Sequence, residues 1–320
     1  MSNTNLNNRN KTQNMIRKLI SYASGWRIGT AEEYRECYSL YGGSFVTHPD
    51  VLSFMQRQLN LRHKYYIKRD SNGSLLGGMC TNGRKEIAIV GRQSKKIGID
   101  MFPFNKDEII LPISSSVKTV IPYRSKILSS LNGRSTLNST FSLNSQREIC
   151  LAKTCGKGGY SSSTKNSRNR ELKKFLNSGG EVLDQALLTS AQIVDIYFEL
   201  YAKRWGQEPG NKRQMMEMIT SLREMIFGFV LFYNGLPCAF QLITRADSPE
   251  WICFDYVNGG YDREHNGFCP GTIVTWLNVR AAYELCEREG KEMRYSFGKP
   301  TEAYKDRWCE RAPLGRTLSI

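Results

Sequence analysis

The sequence predicts an α+β protein of two successive domains, with helices packed on mixed, largely antiparallel sheets. Three observations carry this. In both halves apolar residues first recur at helical spacing and then switch to strand-like alternation. Each half holds a hairpin turn signal, Asp70-Ser71-Asn72-Gly73 in the first and Asn234-Gly235 in the second. The 320 residues, at about 150 per domain, leave room for two cores.

The elements follow in order. Residues 1–14 are polar, lack the apolar run of a secretory signal, and read as a floppy tail. Met15–Tyr22 puts Met15, Ile16, Leu19 and Ile20 on one helical face, which suits a first core helix or a short membrane-surface anchor. Thr30 with Glu33 three residues on is a capping box, opening a helix through Tyr41. Asp50–Leu59 is a further short helix. Lys64–Lys68 and Ser74–Cys80 are the arms of the first hairpin, and Glu86–Val90, Ile109–Ile113 and Glu148–Lys153 are strand candidates.

Residues 114–145 are rich in Ser, Thr and Asn. Ser130-Leu131-Asn132, Thr136-Leu137-Asn138 and Ser142-Leu143-Asn144 recur every six residues. Three copies are too few for a solenoid, so the stretch is expected to be a long surface loop, a candidate cover for a site. Residues 157–165 read as the linker between a basic domain over 15–156 and a second domain over 166–320. That second domain opens with a basic helix ending at Gly179-Gly180. Helices over 190–205 and 212–225 follow, then hairpin arms on either side of Asn234-Gly235. A strand over 251–257, a long helix over 272–288, a strand over 293–297 and a short element over 305–310 complete it.

Charge narrows the function. The net charge is +15, with 29 Lys+Arg against 11 Asp+Glu in residues 1–180 and 16 against 19 in the remainder. Such asymmetry draws an anionic partner: nucleic acid, an acidic lipid surface or a phosphorylated substrate. The nine cysteines form no C-x-x-C pair and the three histidines are scattered, so reduced thiols and no metal site are expected. The longest uncharged stretch, 225–244, is broken by Asn234-Gly235 and Pro237, so no membrane-spanning helix is expected.

Several residues carry candidate chemistry. The turn Asn266–Thr272 precedes a long helix, where small residues and the helix N-terminus suit phosphate. Gly267, Gly271 and Thr272 are its donor-binding candidates. Lys305, beside Tyr304, is placed to stabilise charge developing on a carbonyl. Asp255, followed by Tyr256 on an aromatic-rich strand, is a candidate general base. Lys165, Arg168, Arg170 and Lys173 on the basic helix are candidates for binding an acceptor or anion. No Ser–His–Asp or Cys–His set can be assembled. No recognition-helix pattern appears, so sequence-specific DNA binding is not expected.

From about Met15 onward the chain resembles the Mig-type macrophage-inducible antimicrobial-peptide-resistance proteins of enteric bacteria, on the strings WRIGTAEEYRECYSLYGGSFVTHPDV and FGKPTEAYKDRWCERAPLGR. The second half separately resembles the FemAB branch of the GNAT-like acyltransferases. That likeness rests on Arg168–Leu172, the Asn234-Gly235 hairpin, the Pro270-Gly271 turn and Phe297-Gly298 followed by Tyr304-Lys305 and Trp308. The resemblances imply two tandem GNAT-like domains and acyl or aminoacyl transfer from acyl-CoA or aminoacyl-tRNA. They imply resistance to cationic antimicrobial peptides, survival in phagocytes, and a cytoplasmic protein loosely held at the inner membrane. The partners implied are anionic lipid, cationic peptides or an envelope precursor, and tRNA. The classical Arg/Gln-x-x-Gly-x-Gly/Ala pattern is replaced here by Gly267–Gly271 with Pro270 inside it. A non-catalytic membrane-surface or peptide-binding protein on the same scaffold is the alternative, and a transcription regulator ranks last.

Overall fold

A computed structural model describes residues 24–82, 87, 95, 98–144 and 147–318. The tail and the Met15–Tyr22 helix lie outside them, and of the expected strand Glu86–Val90 only Ile87 is described, bridging Thr81. The chain forms two compact units. The first takes the chain up to Arg92, Glu108–Arg147 and everything from Pro313 onward; the second takes Gln93–Asp107 and Glu148–Ala312. The second unit therefore begins ahead of residues 157–165, which lie inside it rather than between the two.

In the first unit, β1 (Trp26–Gly29), β2 (Lys64–Arg69) and β3 (Leu75–Thr81) form an antiparallel sheet in sequence order. The hairpin turn closes as its composition predicts: Asp70 Oδ1 accepts from the amides of Asn72 and Ser74, both at 2.9 Å, and Gly73 takes φ 86°. Helix α1 (Ala31–Tyr41) starts on the expected capping box, with Thr30 Oγ1 accepting from Glu33 N–H at 3.2 Å and Glu33 Oε2 from Thr30 N–H at 2.6 Å. Helix α2 (Pro49–Leu59) follows, capped by His48.

The six-residue repeat is not a loose loop. Asn132 accepts from Leu111 N–H at 2.8 Å and donates to Leu111 O at 2.9 Å. Asn138 does the same to Ile121 at 2.8 and 2.9 Å and also donates to Leu318 O at 2.8 Å. Asn144 donates to the carbonyls of Lys126 and Leu314 at 3.1 and 2.7 Å. A carboxamide carries the same donor and acceptor pair as a peptide group, so each asparagine completes a backbone that has no neighbouring strand at that point. Their partner leucines, Leu131, Leu137 and Leu143, face outward. The short pair β4 (Ser139–Thr140) and β13 (Arg316–Thr317) lies in this region.

The second unit is built on one sheet. Its strands are β5 (Glu148–Ala152), β6 (Gly180–Asp184), β7 (Ile226–Phe227), β8 (Phe229–Tyr233), β9 (Leu236–Asp247), β10 (Trp251–Tyr261), β11 (Glu292–Ser296) and β12 (Cys309–Pro313). Their order is β12-β5-β11-β10-β9-β8-β6, with β7 also on β9. The β10–β11 pair is parallel, whereas β10–β9, β9–β8, β8–β6 and β11–β5 are antiparallel. The helices are α3 (Ser162–Asn177), α4 (Ser190–Trp205), α5 (Lys212–Ser221), α6 (Pro270–Glu289) and the single turn α7 (Lys305–Trp308).

Side chains alternate along a strand, and the two faces receive different helices. Ala239 and Leu231 pack with Leu172 and Phe175 of α3 and with Ile273 and Leu277 of α6. Phe254 and Tyr295 pack on Trp276 and Val279 of α6. Phe240 points the other way, its ring 5.9 Å from that of Tyr197 on α4. Helix α4 lies so close to β10 that a Cβ on Gly260 would fall 2.2 Å from the Leu200 carbonyl; only glycine fits there.

Candidate functional site

The parallel pair is short. β10 and β11 run in register from Trp251 opposite Glu292 to Asp255 opposite Ser296, and there they part. β10 continues to Tyr261 on β9 alone, with a bulge between Tyr256 and Asn258. A cleft of about 370 Å³ opens beside this freed length of β10. Tyr256 and Gly259–Tyr261 form one side, Tyr304, Arg307 and Trp308 another, and the first turn of α6 the end.

The start of α6 is shaped by its sequence. Cys269 takes a left-handed conformation (φ 54°, ψ 51°), which turns the chain sharply into the helix. Pro270 has no N–H, and the amides of Thr272 and Ile273 both donate to Cys269 O, at 2.9 and 3.2 Å. Gly271 therefore supplies the remaining amide of the first turn, at the positive end of a 20-residue helix. Arg204 and Arg307 add two guanidinium groups, and the described lining residues include no carboxylate. Such a surface selects for negative charge.

A buried relay holds this turn in place. Gln241 Nε2 donates to Thr275 Oγ1 at 2.8 Å, and Thr275 Oγ1 donates to Gly271 O at 2.7 Å. Asn278 Nδ2 donates to Gln241 Oε1 at 2.9 Å, while Asn278 Oδ1 accepts from Phe229 N–H at 2.9 Å. The chain of amides ties β9 and β8 to the turn where a ligand would sit, and such buried networks rigidify what they join.

The residues singled out from the sequence separate. Tyr304, Gly271 and Thr272 line the cleft. Burial pushes the Tyr304 hydroxyl well above the usual tyrosine value, Tyr256 adding to it against Arg204, so the proton stays on. Gly267 lies outside the lining, exposed in the turn Arg263–Phe268. Lys305 is buried and donates to Lys299 O at 2.6 Å, a backbone-bracing role away from the lining. Asp255 is the last parallel-paired residue, and its carboxylate accepts from Asn105 Nδ2 at 3.1 Å; alternation turns it away from the face that carries Tyr256.

On α3, Arg170 and Lys173 border a separate, open groove of about 640 Å³ with Ser163, Asn166 and Asn169. Lys165 instead donates to Cys155 O at 3.1 Å, and Arg168 pairs with Glu171 at 2.8 Å. Arg204, Arg307 and Gln241 escaped the sequence reasoning. The first two stood in view, beside Trp205 at the end of an amphipathic helix and within the Tyr304–Trp308 string, but nothing local marks them as converging.

Among the described residues no group of three or more His, Cys, Asp or Glu could hold a metal ion, and none of the nine cysteines is in a disulfide. No described helix is long and apolar enough to cross a membrane.

Comparison with known proteins places the architecture. The crystal structure of FemX superposes over 92% of this chain and 97% of its own, with a TM-score of 0.57 and 9% identity. L-PGS from Bacillus licheniformis covers 90% and 91% at a TM-score of 0.46 and 9% identity. A tandem GNAT protein from the clavulanic acid biosynthesis pathway covers 92% and 97% at a TM-score of 0.38 and 9% identity. No curated protein matches the chain in sequence. The fold is thus the FemX-like, two-unit α+β fold. The Mig-14 family model matches residues 48–317, most of the length, and the chain belongs to the Mig-14 family.

Proposed function

We propose that this protein transfers an acyl or aminoacyl group from a phosphate-bearing donor to an amine. The observation that carries this is the cleft where β10 and β11 part, cationic through Arg204 and Arg307 and ended by the Gly271 amide. Acyl-CoA and aminoacyl-tRNA both carry phosphates and a reactive carbonyl in one molecule. The amine nitrogen of the acceptor attacks that carbonyl carbon, and the bond to the donor sulfur or ester oxygen breaks. Tyr304, still protonated, donates to the departing atom as it takes the electron pair, and the proton lost by the amine returns through solvent. An envelope component or a cationic peptide is the acceptor. Its modification confers resistance to cationic antimicrobial peptides and supports survival in phagocytes, with the protein held peripherally at the cytoplasmic face of the inner membrane.

Cys269 supplies the test. It is the exposed thiol among nine and lines the cleft, whereas Cys155, half-buried, has its thiol pushed up by burial to about 11. Alkylation of Cys269, followed by mass spectrometry, slows when a donor occupies the cleft. Protection by acyl-CoA or by an aminoacyl-RNA mimic names the donor class. Full labelling in the presence of every donor, with no transfer product, overturns the proposal.

One observation favours the non-catalytic alternative. Leu131, Leu137 and Leu143, six residues apart, are 38%, 64% and 65% exposed on the first unit. The stretch 114–145 carries Lys118, Arg124, Lys126 and Arg134 and no carboxylate, and each basic residue near an anionic bilayer is worth about 1 kcal/mol. Co-sedimentation with anionic but not neutral vesicles, lost on changing all three leucines to serine, supports membrane docking by this row.

A further inference from the structure

Helix α4 ends on Tyr201, Arg204 and Trp205 and stops at Gly206 in the left-handed region. Trp205 is 51% exposed, a large apolar surface for a soluble face to leave open. Its indole is nonetheless held in an ordered arrangement. The Arg204 guanidinium carbon stands 4.5 Å from the Trp205 ring centroid and 5.5 Å from that of Tyr261. Arg204 is itself fixed, donating to Gly259 O at 2.9 Å, while Arg263 donates to Arg204 O at 2.8 Å. Arg204 and Tyr261 line the cleft, and Trp205 does not. The row Trp205, Arg204, Tyr261 thus runs from the outer surface into the cavity.

We infer that Trp205 is the stacking platform for the adenine ring of a phosphate-bearing ligand, with Arg204 taking a phosphate at the mouth of the cleft. An exposed indole offers a π-face to a base, and base–aromatic stacking is a main source of single-nucleotide affinity. The guanidinium over one side of that ring meets phosphate with paired N–H groups. The absence of carboxylates among the described lining residues lets that phosphate approach without repulsion. Adenosine phosphate is the chemistry shared by CoA and by the 3′ end of a charged tRNA. The ligand class rests on the transfer reading; the platform itself is read by binding alone.

The experiment is calorimetric titration of the full chain, as wild type, Trp205→Leu and Trp205→Phe. The probes are adenosine 3′,5′-bisphosphate, the trinucleotide CCA, and inorganic pyrophosphate. The expected result is about tenfold weaker binding of an adenosine probe by Trp205→Leu, largely recovered in Trp205→Phe, with pyrophosphate affinity unchanged in all three. Binding of the bisphosphate alone points to CoA, and of the trinucleotide alone to an RNA end. Equal adenosine affinity in Trp205→Leu, equal loss of pyrophosphate binding, or no adenosine binding by the wild type overturns the platform. Trp205-dependent adenosine binding without any acyl transfer keeps the platform and removes the transfer reading.

Discussion

The two units meet the same requirement, that backbone polar groups be paired, in opposite ways. The second unit pairs strand with strand along an eight-stranded sheet. The first has a three-stranded sheet and then turns to side chains, with Asn132, Asn138 and Asn144 standing in for absent strands. The contrast shows how to interpret a gap in a ladder. Where a carboxamide fills it, the gap is architecture. Where β10 and β11 part and cationic side chains line the opening instead, the gap is a candidate site.

The comparison breaks most sharply at Asn138. Asn138→Ala removes two buried hydrogen bonds and a half-buried one and strands both polar groups of Ile121, so a loss of about 3–5 kcal/mol is expected in urea denaturation. A loss below 1 kcal/mol would mean the asparagines merely decorate a backbone held otherwise.

Next in size is a pH effect confined to the first unit. Burial pushes the His63 imidazole down to about 4, and among the described residues neither ring nitrogen has a hydrogen-bond partner. The unfolded chain takes up this proton near 6.5 while the folded chain resists until about 4. Stability therefore falls as pH drops through that window, by about 3 kcal/mol in all. Thermal melts of His63→Phe across the same range should lose this slope.

In the second unit, Gln241→Leu cuts the relay to Thr275 and Asn278 and should cost about 2 kcal/mol. It should also change the labelling rate of Cys269, because the α6 turn loses its brace. The smallest stability effect is expected from Arg307→Ala, within about 0.5 kcal/mol, since the side chain is exposed. Its donor protection of Cys269 should nevertheless disappear, which separates a binding residue from a bracing one.

Features with a local cause were legible in the sequence. The Thr30–Glu33 capping box, the Asp70–Gly73 turn and the Asn234-Gly235 hairpin each depend on residues a few positions apart. The six-residue asparagine period was visible too, but its meaning depends on Leu111 and Ile121, far off in sequence. The cleft was half legible. The Pro270-Gly271 turn announces a helix start, but the sequence cannot say where the parallel pairing of β10 with β11 stops. That stopping point separates Tyr256 from Asp255, and the packing around α7 turns Lys305 into a brace on Lys299 while Arg307 reaches the opening. Gly267 failed for a similar reason, since small residues mark a turn without saying which of them faces inward.

Asn132 is followed by Gly133, the pairing most prone to spontaneous deamidation, because the unhindered glycine amide attacks the asparagine side chain. In the folded chain both ends of that carboxamide are engaged with Leu111 and cannot swing toward the next amide. Each excursion to the unfolded state releases it. A molecule that has deamidated there cannot donate to Leu111 O again, since a carboxylate has replaced the NH2. Deamidation at Asn132 thus records time spent unfolded, because the folded chain keeps that carboxamide on Leu111.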